Sequence, residues 1–448
     1  MPKSSQYSLP ATYYRGGTSK ALIFHEHDLP APGPQRDRLL KRAMGSPDPL
    51  QIDGMGGSKA VTSKIAIVRP STRSDADIDY TFAQVGVAGD FIHYGANCGN
   101  ISAAVGPFAI EEGLVQFLRP GRSVDPTVKT QQVRIYNTGT GKVLSAHVPI
   151  NENSAFEPEG IHEIAGVPGT GSPILMDYRE TIGAELSRGL LPTGNVTDMV
   201  TVAGKEIEVT ICDVANLCVF ANAHDFNITG HETAAELTAN SNWQAKTREL
   251  LGKAAVLAGM TEDWEDWIDR WKAVPLPIFV APAPDPSKAH LAARLYLDKM
   301  CHESMAGTGA ICTTACSRIP GSVVNKIIGK AAELDTLLIS HPIGTMEVIV
   351  QTETPMKDEP VFQSLSFVRT ARRIMDGTIY VPNSFKPNVS GGRLNSNVLP
   401  PASGLLSSRN SISATDLPKM RGERGNVGDN GPVTAPPAPP LSADDAVS

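Results

Sequence analysis

The chain has 448 residues, more than a usual single domain, so two or three domains are expected. Apolar residues make up 41% and charged residues 19%, which is enough to build real cores and excludes a wholly disordered chain. The 40 basic side chains face 47 acidic ones, a net charge of −7, whereas binders of nucleic acid or membrane surfaces usually carry a basic excess. No apolar run reaches the roughly 18 residues of a membrane span. The start, Met1-Pro2-Lys3-Ser4-Ser5-Gln6, opens no long apolar stretch, so no secretory signal is expected. Six cysteines are too few for a disulfide scaffold at this length, and a reducing, cytoplasmic compartment is the simplest expectation.

In chain order, a strand-like run over 21–29 ends in His27-Asp28-Leu29, and apolar spacing predicts a helix over 36–44. Residues 101–110 could form a buried helix. Val- and Ile-rich runs at 128–136 and 142–150 flank Asn137-Thr138-Gly139-Thr140-Gly141 and predict a β-hairpin. Residues 233–260 read as helical, with a break near 240–242. Trp264, Trp267 and Trp271 lie at helical spacing in an acidic amphipathic stretch and are assigned to packing. A helix is expected over 288–300, and strands over 347–352 and 378–381. From 386 onward the chain is rich in Ser, Asn, Gly and Pro and has no aromatic residue, so 386–448 is expected to be a largely disordered tail.

A weak internal repeat crosses the body. Residues 21–29 resemble 218–226, each a strand-like run ending in His-Asp-apolar. Further on, Asn97-Cys98-Gly99-Asn100-Ile101 resembles Gly307-Thr308-Gly309-Ala310-Ile311, which sets Cys98 opposite Thr308. A chance match and a genuine duplication both account for so short a repeat; a duplication means two related domains with a cleft between them, where small ligands usually bind.

Three Gly-rich segments fall within the first hundred residues: Arg15-Gly16-Gly17-Thr18-Ser19-Lys20, Asp53-Gly54-Met55-Gly56-Gly57-Ser58-Lys59, and Gly95-Ala96-Asn97-Cys98-Gly99-Asn100. Each is either a tight turn with solvated lysines or a place where backbone N–H groups converge on an anion; three together favour the anion. The order Gly-Ser-Lys does not match a nucleotide P-loop, so an NTPase is rejected. Cys98 is either a small buried hydrophobe or a thiol at a helix N-terminus, where the macrodipole favours the thiolate and general acid–base chemistry. Cys312 and Cys316, four apart, have no His or Cys cluster to complete a zinc site, and no metal is expected.

The segments 11–20, Ile52-Asp53-Gly54-Met55-Gly56-Gly57, Thr62-Ser63-Lys64 and Asn97-Cys98-Gly99-Asn100 resemble the PrpF family, and Gly307-Thr308-Gly309, Ile319-Pro320-Gly321 and His341-Pro342 look like its second half. The resemblance spans about 8–385, and the Pro-rich tail suits a fungal member of the aconitate-Δ-isomerase type. It implies an α/β (α+β), diaminopimelate-epimerase-like fold of two pseudo-symmetric domains, 1–185 and 186–385, each wrapping curved strands around a central helix. It also implies a cofactor-independent isomerase with Lys64 and Cys98 as catalytic pair. Thr18, Ser19, Lys20, Met55, Gly56, Gly57, Ser63, Asn97, Gly99, Asn100, Met305, Thr308 and Gly309 are the implied substrate-binding positions. Epimerases of this fold use two cysteines, one at each helix start, to exchange a proton across one carbon; with Thr308 in the second place, Lys64 and Cys98 suit a shift between two carbons instead.

The expected reaction is an allylic proton shift on a tricarboxylate, cis-aconitate to trans-aconitate as in itaconate biosynthesis. The alternatives are 2-methylaconitate isomerase, 4-oxalomesaconate tautomerase, and a non-catalytic carboxylate-binding module. His341-Pro342-Ile343-Gly344 departs from the His-Pro-Ser-Gly of many members, which bears on the substrate more than on the chemistry. The expected partner is the small acid, with a homodimer open and no nucleic acid or membrane involved.

Overall fold

The computed structural model describes residues 5–387, apart from 96, 270–273, 298 and 354–359. All but the first two residues of the expected tail, and Trp271, lie outside the described residues. The first half contains β1 (Gln6–Gly16), β2 (Ser19–His25), α1 (Pro34–Met44), β3 (Lys64–Pro70), β4 (Ile78–Val85), β5 (Ile92–His93), α2 (Gly99–Glu111), β6 (Thr130–Asn137), β7 (Lys142–Pro149), β8 (His162–Glu163), β9 (Thr170–Gly171) and β10 (Ile174–Asp177). The second contains β11 (Asp198–Val202), β12 (Lys205–Val214), β13 (Asn216–Asn222), α3 (Ala234–Ala239), α4 (Ser241–Leu257), α5 (Trp264–Asp269), β14 (Leu276–Pro282), β15 (Leu291–Leu297), β16 (Met300–Cys301), α6 (Gly307–Ser317), α7 (Val323–Ile328), β17 (Thr336–His341), β18 (Gly344–Thr352), β19 (Phe362–Arg369) and β20 (Ala371–Pro382).

Strand pairing repeats between the halves. In the first, β1–β2 is antiparallel, β2–β3 parallel, β3–β4 and β4–β5 antiparallel, β4–β6 parallel and β6–β7 antiparallel. In the second, β12–β13, β13–β14, β14–β15, β15–β16, β15–β17 and β17–β18 follow the same sequence of senses. The antiparallel β10 joins the two ribbons, pairing β7 on one side and β19 on the other. One 18-stranded mixed sheet results. This is the expected α/β fold of two pseudo-symmetric halves, each with a central helix.

The central helices are α2 and α6. Residues Gly99 through Ala109 of α2 and all of α6 are buried, as their small, apolar composition requires of a helix covered on every side. Both contribute to one core, which takes in Ile101, Phe108, Ile311 and Phe367. The outer faces are covered separately: α1 packs Leu39, Leu40 and Met44 over the first half, and α4 packs Trp243, Leu250 and Ala254 over the second.

The expected hairpin, the helix over 36–44, the buried helix after Cys98 and the break near Asn240 all form. Asn240 makes the break by capping α4, its side chain accepting from Trp243 N at 3.0 Å. The expected helix over 288–300 does not form. Its centre is β15, buried at every position but the last and paired on both edges, by β14 and β17. A short run that is apolar but for Arg294 carries no clear period, so neighbouring strands decide its conformation. No helix among the described residues is long and apolar enough to cross a membrane.

Candidate active site

Two helix N-termini meet at the centre of the molecule. Cys98 is the N-cap of α2 and Ala306 the N-cap of α6, and neither helix start is closed by a capping side chain. The structural counterpart of Cys98 is therefore Ala306, two residues before the Thr308 that the sequence repeat sets opposite it. Both helices begin on glycine because they close on the same ring. A Cβ on Gly99 would lie 3.0 Å from Phe367 Cζ and 3.4 Å from Thr308 N, and one on Gly307 would lie 2.7 Å from Phe367 Cζ. Uncapped N-termini leave backbone N–H groups and positive dipole ends directed at the same space, which suits an anion.

Around Cys98 the chain is tightly tied. Ser102 Oγ donates to Asn97 Oδ1 at 3.0 Å or to the Cys98 carbonyl at 2.9 Å. Two buried phenols, Tyr80 and Tyr178, make no hydrogen bond of ordinary geometry. Burial first, and the neighbouring Cys98 among lesser causes, raises the pKa of each, so both stay neutral; Ser102 acts on them in the opposite sense. Asn100 is clamped from two sides: its Nδ2 donates to Thr18 Oγ1 and its Oδ1 accepts from Arg369 Nε, both at 2.9 Å. The β1–β2 turn closes over it. Gly17 has φ 48°, and a Cβ there would run into Asn100 Oδ1.

Lys64 opens β3 and is buried, 8% exposed. Its Nζ donates to Gln84 Oε1 at 2.5 Å and lies 5.1 Å from the Phe82 ring centre. Gln84 is oriented by donating through Nε2 to the carbonyls of Ala60 (3.1 Å) and Ser63 (2.9 Å). No carboxylate pairs with Lys64 among the described residues, so its charge is held by a neutral amide and a ring face. Lys64 opposes Ala21 in the β2–β3 ladder, and Ser19, two residues earlier, opposes Gly16, which packs on the Asn100 backbone. The turn that grips Asn100 thus continues into the strand beside Lys64.

The remaining sequence candidates separate into two groups. Thr18, Ser19, Asn97, Gly99, Asn100, Met305 and Thr308 are gathered near the helix starts. Thr308 Oγ1 accepts from Asn216 Nδ2 at 2.8 Å, as Thr18 does from Asn100 in the first half. The others are engaged elsewhere. Met55 and Gly56 donate their N–H groups to Ala43 O (2.9 Å) and Met44 O (3.0 Å), so these two donors of the Gly-rich segment close the end of α1. A Cβ at Gly57 would press on Thr62 Oγ1 at 2.7 Å. Ser63 is fully buried, donating to Val85 O at 2.9 Å and accepting from Gln51 Nε2 at 2.8 Å. Lys20 lies 5.5 Å from the Tyr13 ring centre. A Cβ at Gly309 would meet Leu295 Cδ1 at 2.6 Å, so that glycine serves close packing on β15.

Three further groups lie near the site that sequence reasoning did not assign to it, although His341 falls in the His341-Pro342 motif noted above. His302 accepts from Ser304 N through Nδ1 at 3.1 Å, and burial, with the nearby Lys64 charge adding to it, lowers its pKa. His341, on β17, is lowered to about 4 by burial and then by Arg369, His302 and Arg294. Arg369, at the end of β19, is buried and lowered to about 10, chiefly by desolvation. Thr18, Met305, His341 and Arg369 line a cavity of about 680 Å³, and Lys64 and Cys98 lie outside its immediate lining. Among the described residues no three His, Cys, Asp or Glu side chains come together as a metal-ligand set.

The pseudo-symmetric α/β fold, with a thiol at one of two converging helix starts and a buried lysine on β3 in the same half, is of the epimerase-like kind; a probable proline racemase superposes with a TM-score of 0.50 at 12% identity. Among proteins of that kind, the chain belongs to the PrpF family: the family described as PrpF protein matches residues 6–382. A 3-methylitaconate isomerase of Eubacterium barkeri is 40% identical over 389 residues, covering 84% of this chain and 98% of that protein. A 2-methyl-aconitate isomerase of Shewanella oneidensis is 33% identical over 397 residues, with 84% and 98% covered. A crystal structure of methylitaconate-delta-isomerase superposes with a TM-score of 0.72 at 37% identity, covering 88% of this chain and all of that one.

Proposed function

We propose that the protein is a cofactor-independent isomerase that moves a double bond in cis-aconitate to give trans-aconitate by an allylic proton shift. The observation that carries this reading is the asymmetry at the helix starts: a thiol at Cys98, no acid–base group at Ala306, and a buried lysine in the same half. Residues 1–185 and 186–385 act as two related domains with the site between their central helices.

The reaction balances without a partner. A base removes one proton from the CH2 beside a carboxylate, the electron pair spreads into a dienolate, and a proton is returned to the former vinyl carbon. One C–H bond breaks, one forms, and the double bond has moved. A single group serving both faces of one carbon would racemise it; two unlike groups, Lys64 and Cys98, divide the two transfers at two carbons. Carbon acids beside carboxylates are weak, so the dienolate charge needs preorganised donors, and the uncapped N–H groups of α2 and α6 are suited to that. The relatives support an acid of this kind by their names alone.

Proton NMR of purified protein with cis-aconitate, 2-methylaconitate, 3-methylitaconate and 4-oxalomesaconate in D2O tests the reading. Fastest conversion of cis-aconitate, with deuterium entering the product, is expected. Faster turnover of another of these acids moves the assignment to that acid, and an absence of any deuterium uptake makes the protein a binder.

A further inference from the structure

Arg369 is 6% exposed, and no carboxylate pairs with it among the described residues. Burying a guanidinium without a counter-charge is unfavourable, and such groups persist where an anion completes them. Its hydrogen bonds are few. Nε donates to Asn100 Oδ1 at 2.9 Å, Nη1 to Val368 O at 2.9 Å, and Nη2 to the Met346 thioether at 3.1 Å. A guanidinium has five N–H groups, so one on each terminal nitrogen is left, a pair that a carboxylate can accept together. The Phe367 ring, 4.4 Å from Cζ, holds the plane in place.

A second group faces the same space. His341 is also 6% exposed, lines the cavity with Arg369, and its Nδ1 is buried without a hydrogen-bond partner. Through Asn100, Arg369 is tied to the start of α2, two residues beyond Cys98. Arg369 and the helix start are therefore neighbouring anion-seeking elements, and the neutral His341 ring can add an N–H donor beside them.

We propose that Arg369, with His341, is a subsite for one carboxylate of the substrate, the one a dicarboxylate lacks, and that it makes this chain prefer tricarboxylates. The inference rests on the carboxylate-substrate reading above and adds the group that reads the third carboxylate.

Calorimetric titration of wild type and Arg369→Gln with tricarballylate and methylsuccinate tests it. These are a saturated tricarboxylate and a dicarboxylate, neither able to undergo the shift. Wild type should bind tricarballylate at least about tenfold more tightly. Arg369→Gln should weaken tricarballylate by about 10- to 100-fold, the range of a charge-assisted hydrogen-bonded pair, and leave methylsuccinate within about twofold. Equal weakening of both acids in a variant with an unchanged melting curve overturns the subsite alone. If Arg369→Gln fails to fold, His341→Asn and the wild-type ratio decide: selective loss of tricarballylate supports the subsite, and equal wild-type affinities overturn it. Wild type that binds neither acid overturns the function proposed above, and the subsite with it.

Discussion

The two halves of the molecule share one topology and divide the chemistry unequally. β2 and β13 run parallel to β3 and β14, and the corresponding ladder positions pair Ala21 with Lys64 and Cys218 with Leu276. Where the first half has Lys64 the second has Leu276, and where Cys98 stands at the N-cap position of α2, Ala306 stands at that of α6. Structural features are kept on both sides: glycine at both helix starts against Phe367, and an amide-to-threonine bond in each half, Asn100 to Thr18 and Asn216 to Thr308. The duplication thus retains the scaffold that aims two helix N-termini at one point, while Lys64 and Cys98 have counterparts, Leu276 and Ala306, that cannot titrate. That arrangement suits two distinct carbons and does not suit symmetric inversion at one.

The largest effect expected from breaking this asymmetry is on turnover. Cys98→Ser and Lys64→Ala should each lower kcat by about 10²–10⁴-fold, and the double variant should fall little further, because both disable one sequence of steps. Cys312→Ser, altering a buried packing thiol whose Sγ donates to Cys212 O at 3.2 Å, should keep turnover. Steady-state kinetics on the four variants checks this, and a fast Cys98→Ser enzyme would make the thiol structural.

The shared scaffold predicts a symmetric stability cost. Gly307→Ala brings a Cβ to 2.7 Å from Phe367 Cζ and should destabilise by about 1–3 kcal/mol in denaturant melts, with Gly99→Ala milder because its closest approach is 3.0 Å. Equal and negligible effects would remove the argument that both helix starts need glycine.

The equivalent hydrogen bonds are unequal in what they support. Asn100→Ala removes the partner of a buried guanidinium and should cost about 1–3 kcal/mol, whereas Asn216→Ala removes a neutral bond and should cost about 0.5–1.5 kcal/mol. Chemical denaturation of the pair checks the order.

A pH slope is expected as well. His147 and His341 are both held at about 4 in the folded protein, mainly by burial, against about 6.5 when unfolded. The unfolded chain therefore binds more protons between these values, and their contribution to stability, full above about pH 6.5, is lost as pH falls towards 4, by up to about 1.4 kcal/mol per pH unit for each. Asp213, raised to about 6 by burial, acts in the opposite sense between about 4 and 6, so the net loss there is shallower. Urea melts from pH 7.5 to 4.5 should show stability declining below pH 6.5; a flat profile contradicts the assignment of buried neutral histidines.

Much of this architecture was legible in the sequence because it is local. Alternating Val and Ile residues around Asn137-Thr138-Gly139-Thr140-Gly141 specify the β6–β7 hairpin, and Asn240 marks the start of α4 by its capping chemistry. The repeat was legible as well, but its register was not. Matching Gly-rich strings placed Thr308 opposite Cys98, whereas the cap geometry that defines the site places Ala306 there. The loop over 53–59 was recognisable as a tight turn, yet the N–H groups of Met55 and Gly56 serve the end of α1, a tertiary fact with no local signature. Arg369 and His302 were illegible for the same reason, whereas His341 was visible in its motif but not as a site residue. Arg369 and His302 are isolated residues in an ordinary strand and loop, and the joining of β17, β18 and β19 to β10 brings Arg369 and His341 towards α2. The strand β15 was misread because its apolar run is buried on both faces, which erases the alternation that would mark it.

Deuterium exchange resolved by carbon tests the central claim most directly. With cis-aconitate in D2O, the wild-type product should carry deuterium at the former vinyl carbon. Lys64→Ala and Cys98→Ser should both lose net isomerisation, but the variant that keeps the base should still exchange the CH2 protons of unreacted substrate, and the variant that lacks it should exchange neither carbon. Identical exchange patterns in the two variants, or net isomerisation by either near the wild-type rate, would contradict a reaction divided between two unlike groups on one half of a duplicated fold.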